Sequence, residues 1–304
     1  MFLIVSALIF NSDIVTWIIL SISRRALGCI VDLAKLAVVS VVVEKQEKNT
    51  PKVEVNGNLE VHFIDVGQAD SILITANNKG ALIDAGNSAD GKLIIDYINN
   101  LGIEKLDFVI ATHPHEDHIG GMDDVLNAFK ADKFYMPDVL TTTKTFENML
   151  DALESQNLKY TTPKIGSTFN FEGANFEVEY VGKDAKDLNN TSIVVKMTYG
   201  EKTFLFTGDA EDIVEKQILN KDLKSDVLKV GHHGSEFSTT DEFLEKVNPE
   251  IAVISVGTGN KYKHPNKTII NKLNKNNIDI YRTDKDKTII IKTDGKTLEV
   301  LKNR

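Results

Sequence analysis

The sequence predicts an α/β (α+β) sandwich, in which two β-sheets pack face to face and helices cover their outer sides. Two observations lead to this fold class. Strand-like apolar runs fall into two groups, with helical patterns between them, from residue 59 onward. Polar loops that contain histidine and aspartate directly follow several of these runs. Because functional side chains concentrate on loops held by a rigid scaffold, these loops are the candidate site.

Local patterns justify each element of residues 59–304. Alternating or continuous apolar runs predict strands, which lie at 59–66, 71–75, 80–86, 106–112, 175–181, 191–199, 202–209, 226–231, 251–257 and 278–284. Helical spacing of apolar residues predicts helices, which lie at 90–102, 121–129, 145–156, 211–220, 240–247 and 267–275. A hairpin at 288–301, which turns at Asp294 and Gly295, closes the chain.

Two shorter parts precede this domain. Residues 1–43 are mostly apolar, and residues 44–58 are charged and polar, which is typical of a linker. The apolar part is long enough to span a bilayer, but Asn11 and Asp13 interrupt it and an arginine pair follows. We expect membrane association, either as two imperfect spans with the domain on the extracellular face or as amphipathic helices on a surface. A cytoplasmic location stays open.

Composition excludes several classes of protein. A net charge of -9 does not suggest a general nucleic-acid binder. Cys29 is the only cysteine, so an intrachain disulfide and a thiolate-rich zinc site are both excluded. From Ser255 to Arg304, however, the chain holds 12 Lys and Arg against 5 Asp and Glu. This excess is either a solvated face or a landing surface for an anionic substrate such as a phosphodiester.

Six of the seven histidines lie in polar loops after apolar runs, namely His113, His115, His118, His232, His233 and His264. His62 lies within a predicted strand and is interpreted as structural. Imidazole nitrogens and carboxylate oxygens suit a divalent first-row metal. In "HPHEDH", His113 and His115 can hold one ion, while Asp117 and His118 can hold a second.

Three later loops add candidate ligands. Asp209 ends "FLFTGD", where its carboxylate can bridge two cations or cap the next helix. His232 and His233 are adjacent, and adjacent side chains point apart, so we expect one ligand, with a slight preference for His232. His264 is expected to complete the site, protonate a leaving group or orient its loop, and with Asp117 it is a catalytic candidate.

These motifs resemble those of the metallo-β-lactamase superfamily. "HPHEDH" matches its H-x-H-x-D-H signature, and "FTGD" follows downstream. More narrowly, "HFIDVGQADSILI", "LKVGHHGSEFS" and "SVGTGNKYKHP" are similar to the hydrolase domain of ComEC-type competence proteins. The resemblance implies the four-layer αβ/βα metallo-β-lactamase fold with a metal site at one edge of the sheets. It also implies a metal-dependent hydrolase, with a nuclease related to competence DNA uptake as the suggested role.

Two departures from the family pattern bear on the metal. Many members have a further histidine ligand where this chain reads "DLNNTSIVV", so Asn189 or Asn190 is expected as a weaker, harder donor. Manganese therefore rivals zinc as the identity of the two divalent ions. Ala69 stands where the family usually has glycine, and Asp70 is expected to hold a histidine or stabilise its loop.

Three functions stay open. The first is a phosphodiesterase or nuclease that uses a metal-bridging hydroxide, with Asn260 and Tyr262 as substrate candidates. The second is a hydrolase of a lactone, thioester or other small ester or amide, or an exported enzyme like a phosphorylcholine esterase. The third is a module that tethers DNA or a cell-wall polymer to a membrane without turnover. No stable protein partner is evident, and the chain is either a standalone enzyme or the tail of a larger channel protein.

Overall fold

A computed structural model describes residues 5–8, 17–20, 58–184 and 186–302. The chain separates into two compact units, Met1–Pro51 and Lys52–Arg304. In the first unit, strands β1 (Val5–Leu8) and β2 (Trp17–Leu20) pair antiparallel. The rest of the apolar segment, including Cys29, and linker residues 44–57 lie outside the described residues. Within the described ranges, every helix is too short or too polar to cross a bilayer.

The larger unit contains two β-sheets. The first has the order β18-β17-β3-β4-β5-β6-β8-β9, with β7 beside β6. Its strands are β3 (Leu59–Phe63), β4 (Ile72–Ala76), β5 (Lys79–Ile83), β6 (Lys105–Ile110), β7 (Lys130–Ala131), β8 (Phe134–Tyr135), β9 (Tyr160–Thr161), β17 (Ile289–Thr293) and β18 (Leu298–Lys302). The second has the order β10 to β16. Its strands are β10 (Thr168–Phe171), β11 (Ala174–Tyr180), β12 (Val194–Tyr199), β13 (Lys202–Phe206), β14 (Val227–Lys229), β15 (Ile251–Ile254) and β16 (Asp279–Arg282).

Helices connect many of these strands. They are α1 (Gly91–Asn100), α2 (Glu116–Ile119), α3 (Met122–Ala128), α4 (Lys144–Ser155), α5 (Asp212–Ile218), α6 (Asp241–Val247), α7 (Lys267–Lys275) and α8 (Thr283–Asp286). A short 3₁₀ turn occupies Asn189–Thr191, and a tight turn occupies Gly231–Gly234. Local capping explains where two of the helices begin. Thr143 Oγ1 accepts a hydrogen bond from Phe146 N at the start of α4, and Thr240 Oγ1 accepts one from Phe243 N at the start of α6.

The sheets bury their facing sides against each other. Side chains alternate along a strand, so Val61 and Phe63 of β3 face the second sheet while Glu60 and His62 face the helices. Phe63 meets Phe206 of the opposite sheet, with ring centroids 6.4 Å apart. Helices α1, α3 and α4 pack on the outer side of the first sheet, and α5, α6 and α7 pack on that of the second. The predicted four-layer sandwich is therefore confirmed.

Parallel strands bring the candidate loops to one edge. Strands β13, β14, β15 and β16 run parallel, and so do β5, β6 and β8. The carboxyl ends of parallel neighbours meet at the same edge, so the loops that follow them converge. His113 follows β6, Asp209 follows β13, and the His232–His233 pair follows β14.

The strands that lead into these loops end earlier than predicted. The predicted strand 202–209 stops at Phe206, and the predicted strand 226–231 stops at Lys229. The chain leaves the hydrogen-bond ladder at these points, which turns the following side chains toward the edge of the sheets. Strand β10 was not predicted, because its alternation of polar and apolar residues extends over only four residues, Thr168–Phe171.

Candidate metal centre

Four imidazole rings converge on the carboxylate of Asp209. Nε2 of His118 lies 3.3 Å from Oδ1. Nε2 of His233, His232 and His113 lies 3.6, 3.8 and 3.9 Å from Oδ2, respectively. The carboxylate is almost completely buried. Its two oxygens thus face different nitrogen donors, which is the arrangement that a carboxylate between two cations requires.

A tight turn aims Asp209 at this point. Gly208 has a φ of +53°, and a Cβ added there would lie 3.0 Å from atoms of Thr112 and Ser192. Glycine is favoured because it adopts positive φ without a steric penalty. Ser192 Oγ accepts a hydrogen bond of 3.0 Å from Asp209 N. The cap position of α5 is Glu211, so the alternative of Asp209 as a helix cap is wrong.

His113 and His115 lie side by side on one flank of Asp209. His113 Nε2 is 3.0 Å from His115 Nδ1, and the ring of His113 is fully buried. On its other side, His113 Nδ1 lies 3.2 Å from Thr112 Oγ1 and 3.4 Å from Ser192 Oγ. These hydroxyl contacts orient the ring so that Nε2 faces the site, as ligand-orienting contacts do in metalloproteins.

A second group surrounds the other flank. Asp117, His118, Asp209 and His233 each offer one ligand atom, and these four atoms lie within 4.8 Å of one another. His233 Nε2 is 3.4 Å from Asp117 Oδ2. Nε2 of His118, Nε2 of His233 and Oδ1 of Asp209 are buried without a hydrogen-bond partner. Unpaired buried polar atoms are costly, and a cation would satisfy all three at once. The donor set therefore fits a divalent metal ion.

Acidic residues behind the histidines fix which nitrogen faces the site. Asp84 Oδ2 lies 2.7 Å from His118 Nδ1, and Asp84 also accepts two 2.7 Å hydrogen bonds, from Thr112 N and Oγ1. Glu211 Oε1 lies 3.0 Å from His232 Nδ1. Because Nδ1 is engaged in each case, Nε2 is left to bind a metal. The sequence interpretation gave no role to Asp84 or Glu211, although each acid follows an apolar run.

His233 is held by a buried ion pair. Its Nδ1 donates to Ser255 O at 2.9 Å and lies 3.4 Å from Asp70 Oδ1. Asp70 Oδ2 in turn lies 2.7 Å from Nζ of Lys229, a lysine with 0% side-chain exposure. The expectation that Asp70 holds a histidine agrees with this geometry, whereas Lys229 was read only as part of a strand.

Both adjacent histidines reach Asp209, which differs from the expectation that they point apart. His232 has φ 48° and His233 has φ 52°, so both lie in the left-handed region. The expectation assumed extended backbone, in which neighbouring side chains alternate. In this turn the two rings instead lie 6.2 Å apart on the same side. The slight preference for His232 over His233 is not supported, because His233 belongs to the tighter donor group.

The two asparagines in place of the family histidine have different surroundings. Asn190 donates to Asp187 Oδ2 of its own loop at 2.6 Å and accepts from Glu211 N of the loop after β13 at 3.0 Å, so both ends of its amide are engaged. Asn189 donates to Glu211 Oε1 at 3.1 Å, while its Oδ1 is buried without a partner. Asn189 also lines the cavity at the site. Of the two, Asn189 is the one placed to act as a ligand.

The loop after β15 contributes His264 and Tyr262 to the same cavity. Asn260 was predicted to contact substrate, but its amide is used within the loop. Its Nδ2 donates to Gly257 O and His264 O at 2.9 and 2.7 Å, and its Oδ1 accepts from His264 N at 2.9 Å. Asn260 therefore positions His264 instead of facing the cavity.

The charges of the site favour a bound cation. Burial alone would raise the pKa of Asp209, but His118 and His233 hold it well below its ordinary value. Burial would also raise the pKa of Asp117, yet its contact with His233 and the charge of His118 lower it to about 2. Burial would lower the pKa of His118, but Asp209 and Asp84 keep it well above its usual value. A metal ion supplies the same positive charge in place of imidazole protons.

The donor groups open into a cavity of about 290 Å³. It is lined by side chains from six loop regions, namely Gln68, His115, Glu116, Asp117, Asn189, Asp209, His232, His233, Tyr262 and His264. His113 and His118 are buried and do not line this cavity, which is large enough for a small substrate group.

Comparisons with known proteins agree with this fold. Residues 64–258 match the model of the metallo-beta-lactamase superfamily. ComE operon protein 3 of Bacillus subtilis is 32% identical over 251 residues, which cover 76% of this chain and 32% of that protein. Competence protein ComA of Neisseria gonorrhoeae is 30% identical over 225 residues, which cover 72% of this chain and 30% of that protein.

The chain thus spans about a third of the length of these curated relatives. Among solved structures, the metallo-beta-lactamase fold protein YhfI from Bacillus subtilis superposes with a TM-score of 0.52 at 13% identity. The match covers 74% of this chain and 96% of that chain. At this identity the likeness concerns the fold alone.

Proposed function

Because the chain belongs to the metallo-β-lactamase superfamily, we propose that its hydrolytic activity is that of a metal-dependent phosphodiesterase acting on nucleic acid. The observation that carries the proposal is the pair of donor groups that share Asp209. A shared carboxylate with two flanking ligand sets suits hydrolysis assisted by two metal ions, which is common among phosphatases and nucleases. The competence proteins among the relatives support DNA as the polymer.

The ligand sets divide between two proposed ions. His113, His115, His232 and Asp209 would hold the first, with Asn189, which lines the same cavity, as a weaker donor. Asp117, His118, Asp209 and His233 would hold the second. When bound, zinc or manganese would supply a hydroxide near neutral pH and neutralise charge on the phosphoryl oxygens.

His264 is proposed to orient the substrate instead of protonating the leaving group. Burial, together with His232 and His233, lowers the pKa of His264 to about 4. Added metal charge would lower this pKa further, so the ring would be neutral near neutral pH and could not act as a general acid. A neutral imidazole can still accept a hydrogen bond from a sugar hydroxyl or a water molecule.

Lysines beside the cavity supply attraction for an anionic substrate. Lys261, Lys263 and Lys267 flank Tyr262 and His264 in the sequence, and within the described part of the chain none of the three forms an ion pair with an acid. Other lysines of the basic C-terminal region are neutralised locally, among them Lys292 by Glu60 and Lys302 by Asp286. These three lysines therefore keep an uncompensated positive charge close in sequence to Tyr262 and His264, where phosphate groups would bind.

Hydrolysis of bis(p-nitrophenyl) phosphate by the full chain, loaded with manganese or zinc, tests the proposal. We expect D117N and D209N to lower kcat/KM at least 100-fold, because each removes a ligand charge. D151N is the matched control, since Asp151 is exposed on α4 and does not line the cavity. Circular dichroism should show that all three variants are folded.

A substrate panel separates the phosphodiesterase from the alternative hydrolases. Lactone, thioester and β-lactam substrates would be assayed with the same metal-loaded protein. Turnover of one of these together with no phosphodiester cleavage would contradict the proposal. Metal-independent binding of DNA without any turnover would instead favour a tethering module.

We further propose that the domain acts at a membrane, on its extracellular face. The apolar composition of residues 1–43 and the competence proteins among the relatives support this location. Protease treatment of intact cells that express the full chain would test it. Cleavage of the domain by external protease is the expected result, and full protection would contradict the extracellular orientation.

A further inference from the structure

We propose that Tyr262 binds a nucleobase of the substrate by stacking, so that the site acts on unpaired nucleotides of a single strand. This inference rests on the proposed phosphodiesterase function and deepens it. It names the group that binds the non-reacting part of the substrate. Metal ligands recognise only the phosphate, which all phosphodiesters share, so the choice of substrate must come from other side chains of the cavity.

Tyr262 presents a large aromatic ring at the mouth of the metal cavity. The side chain lines the cavity and remains 56% exposed. Its ring stacks on His264, with centroids 5.8 Å apart and an angle of 15° between the planes. His264 is itself held by the Asn260 amide. The tyrosine ring is therefore supported from one side, and this support limits the entropy that it would lose when a base binds.

A short series of contacts links this ring to the metal ligands. The rings of His264 and His232 have centroids 5.6 Å apart. His232 Nε2 then lies 3.8 Å from Asp209 Oδ2. The rings of His264 and His232 thus lie between the Tyr262 ring and the Asp209 carboxylate, and Tyr262 lines the same cavity. A phosphate at the metal centre and the base of the same or the next nucleotide could occupy both places at once.

Lys261 also lies over the tyrosine ring. Its Nζ lies 4.9 Å from the Tyr262 ring centroid, in a cation–π contact. The side chain is long and makes no ion pair in the described part of the structure, so it can move aside when a base stacks. Its ammonium group would then be free to contact an adjacent phosphate. Stacking rings combined with lysines are the usual means by which proteins bind single strands.

The surroundings favour a nucleobase over a quaternary ammonium group. Choline-type groups are held by cages of several aromatic rings. Among the residues that line this cavity in the described part of the chain, Tyr262 is the only tyrosine, and none is tryptophan or phenylalanine. One open ring suits a flat base. Bases of a duplex are stacked on their neighbours, so only an unpaired base can offer its face.

Two chromogenic esters with the same leaving group test the stacking by kinetics. They are p-nitrophenyl thymidine 5′-phosphate, which carries a base, and methyl p-nitrophenyl phosphate, which carries none. With the manganese-loaded full chain, we expect kcat/KM for the thymidine ester to exceed that for the methyl ester about 5- to 150-fold, the range that base stacking supplies. Y262A should bring this ratio close to one, and Y262F should preserve it.

The matched control is Y160A, because Tyr160 is a partly exposed tyrosine on β9 that does not line the cavity. It should keep the wild-type ratio. An unchanged ratio in Y262A would overturn the inference even if both esters are cleaved. It would leave the phosphodiesterase proposal intact.

Product binding gives a readout that does not depend on turnover. Calorimetry would compare thymidine 5′-monophosphate with deoxyribose 5-phosphate on the manganese-loaded chain. Tighter binding of the thymidine compound, lost in Y262A, supports stacking even if neither ester is hydrolysed, in which case the phosphodiesterase proposal alone fails. Equal affinities would overturn the inference. Tighter binding of phosphorylcholine than of thymidine monophosphate would also overturn it, in favour of a choline site.

Discussion

Replacing Asp84 with asparagine should weaken metal binding without changing a metal ligand. Asp84 Oδ1 accepts from Thr112 N, while Oδ2 faces both Thr112 Oγ1 and His118 Nδ1, all at 2.7 Å. An asparagine that keeps its oxygen toward Thr112 N must turn its NH₂ group toward His118. Two donors then face each other, which drives His118 to carry its proton on Nε2, the atom that faces Asp209.

Loss of such a supporting acid costs about 10- to 100-fold in metal affinity. This corresponds to about 1.4 to 2.7 kcal/mol of binding free energy. Calorimetric titration of manganese into the metal-free full chain would measure the effect. D132N is the control, because Asp132 is an exposed acid that pairs with Lys105. If D84N bound manganese within twofold of the wild type, the argument that Asp84 sets the His118 tautomer would be refuted.

Two further predictions concern the buried charges around His233. K229M should lower the free energy of unfolding by about 3–5 kcal/mol in urea titrations, because it removes the lysine that pairs with the buried carboxylate of Asp70. Adding D70N should restore part of the loss, and equal stability of K229M and wild type would contradict this prediction. In metal-free protein, burial lowers the pKa of His233, but Asp209 and Asp70 raise it to about 10. The contribution of protonated His233 to the free energy of unfolding should therefore be complete below about pH 6.5 and should decrease as the pH rises toward 10. Urea titrations across this pH range should show the decrease in the wild type but not in H233Q.

The candidate metal ligands could be picked out from the sequence because their chemistry is unusual for their position. His113, His115, Asp117 and His118 follow an apolar strand within a few residues, and Asp209 follows another. Such side chains rarely gather at strand ends unless they bind a metal ion or another molecule. The structure brings all five to one place, and the two sheets predicted from apolar periodicity are the reason that they meet.

Other parts of the site could not be predicted, because the sequence patterns around these residues are common in proteins without such a site. An acid after a strand, such as Asp84, is common in turns, and nothing local indicates that it lies beneath His118. A lysine within "VLKV" reads as a solvated strand residue, whereas Lys229 is fully buried against Asp70. The left-handed backbone of His232 and His233 could not be predicted from the sequence either, since residues other than glycine seldom adopt positive φ. These features depend on tertiary contacts.

Anomalous diffraction from crystals grown with manganese tests the central claim most directly. We predict two anomalous peaks about 3.5 to 4 Å apart, on either side of the Asp209 carboxylate. One should contact His113 and His115, and the other Asp117, His118 and His233. Manganese-loaded crystals without an anomalous peak beside Asp209 would contradict the assignment of a metal centre.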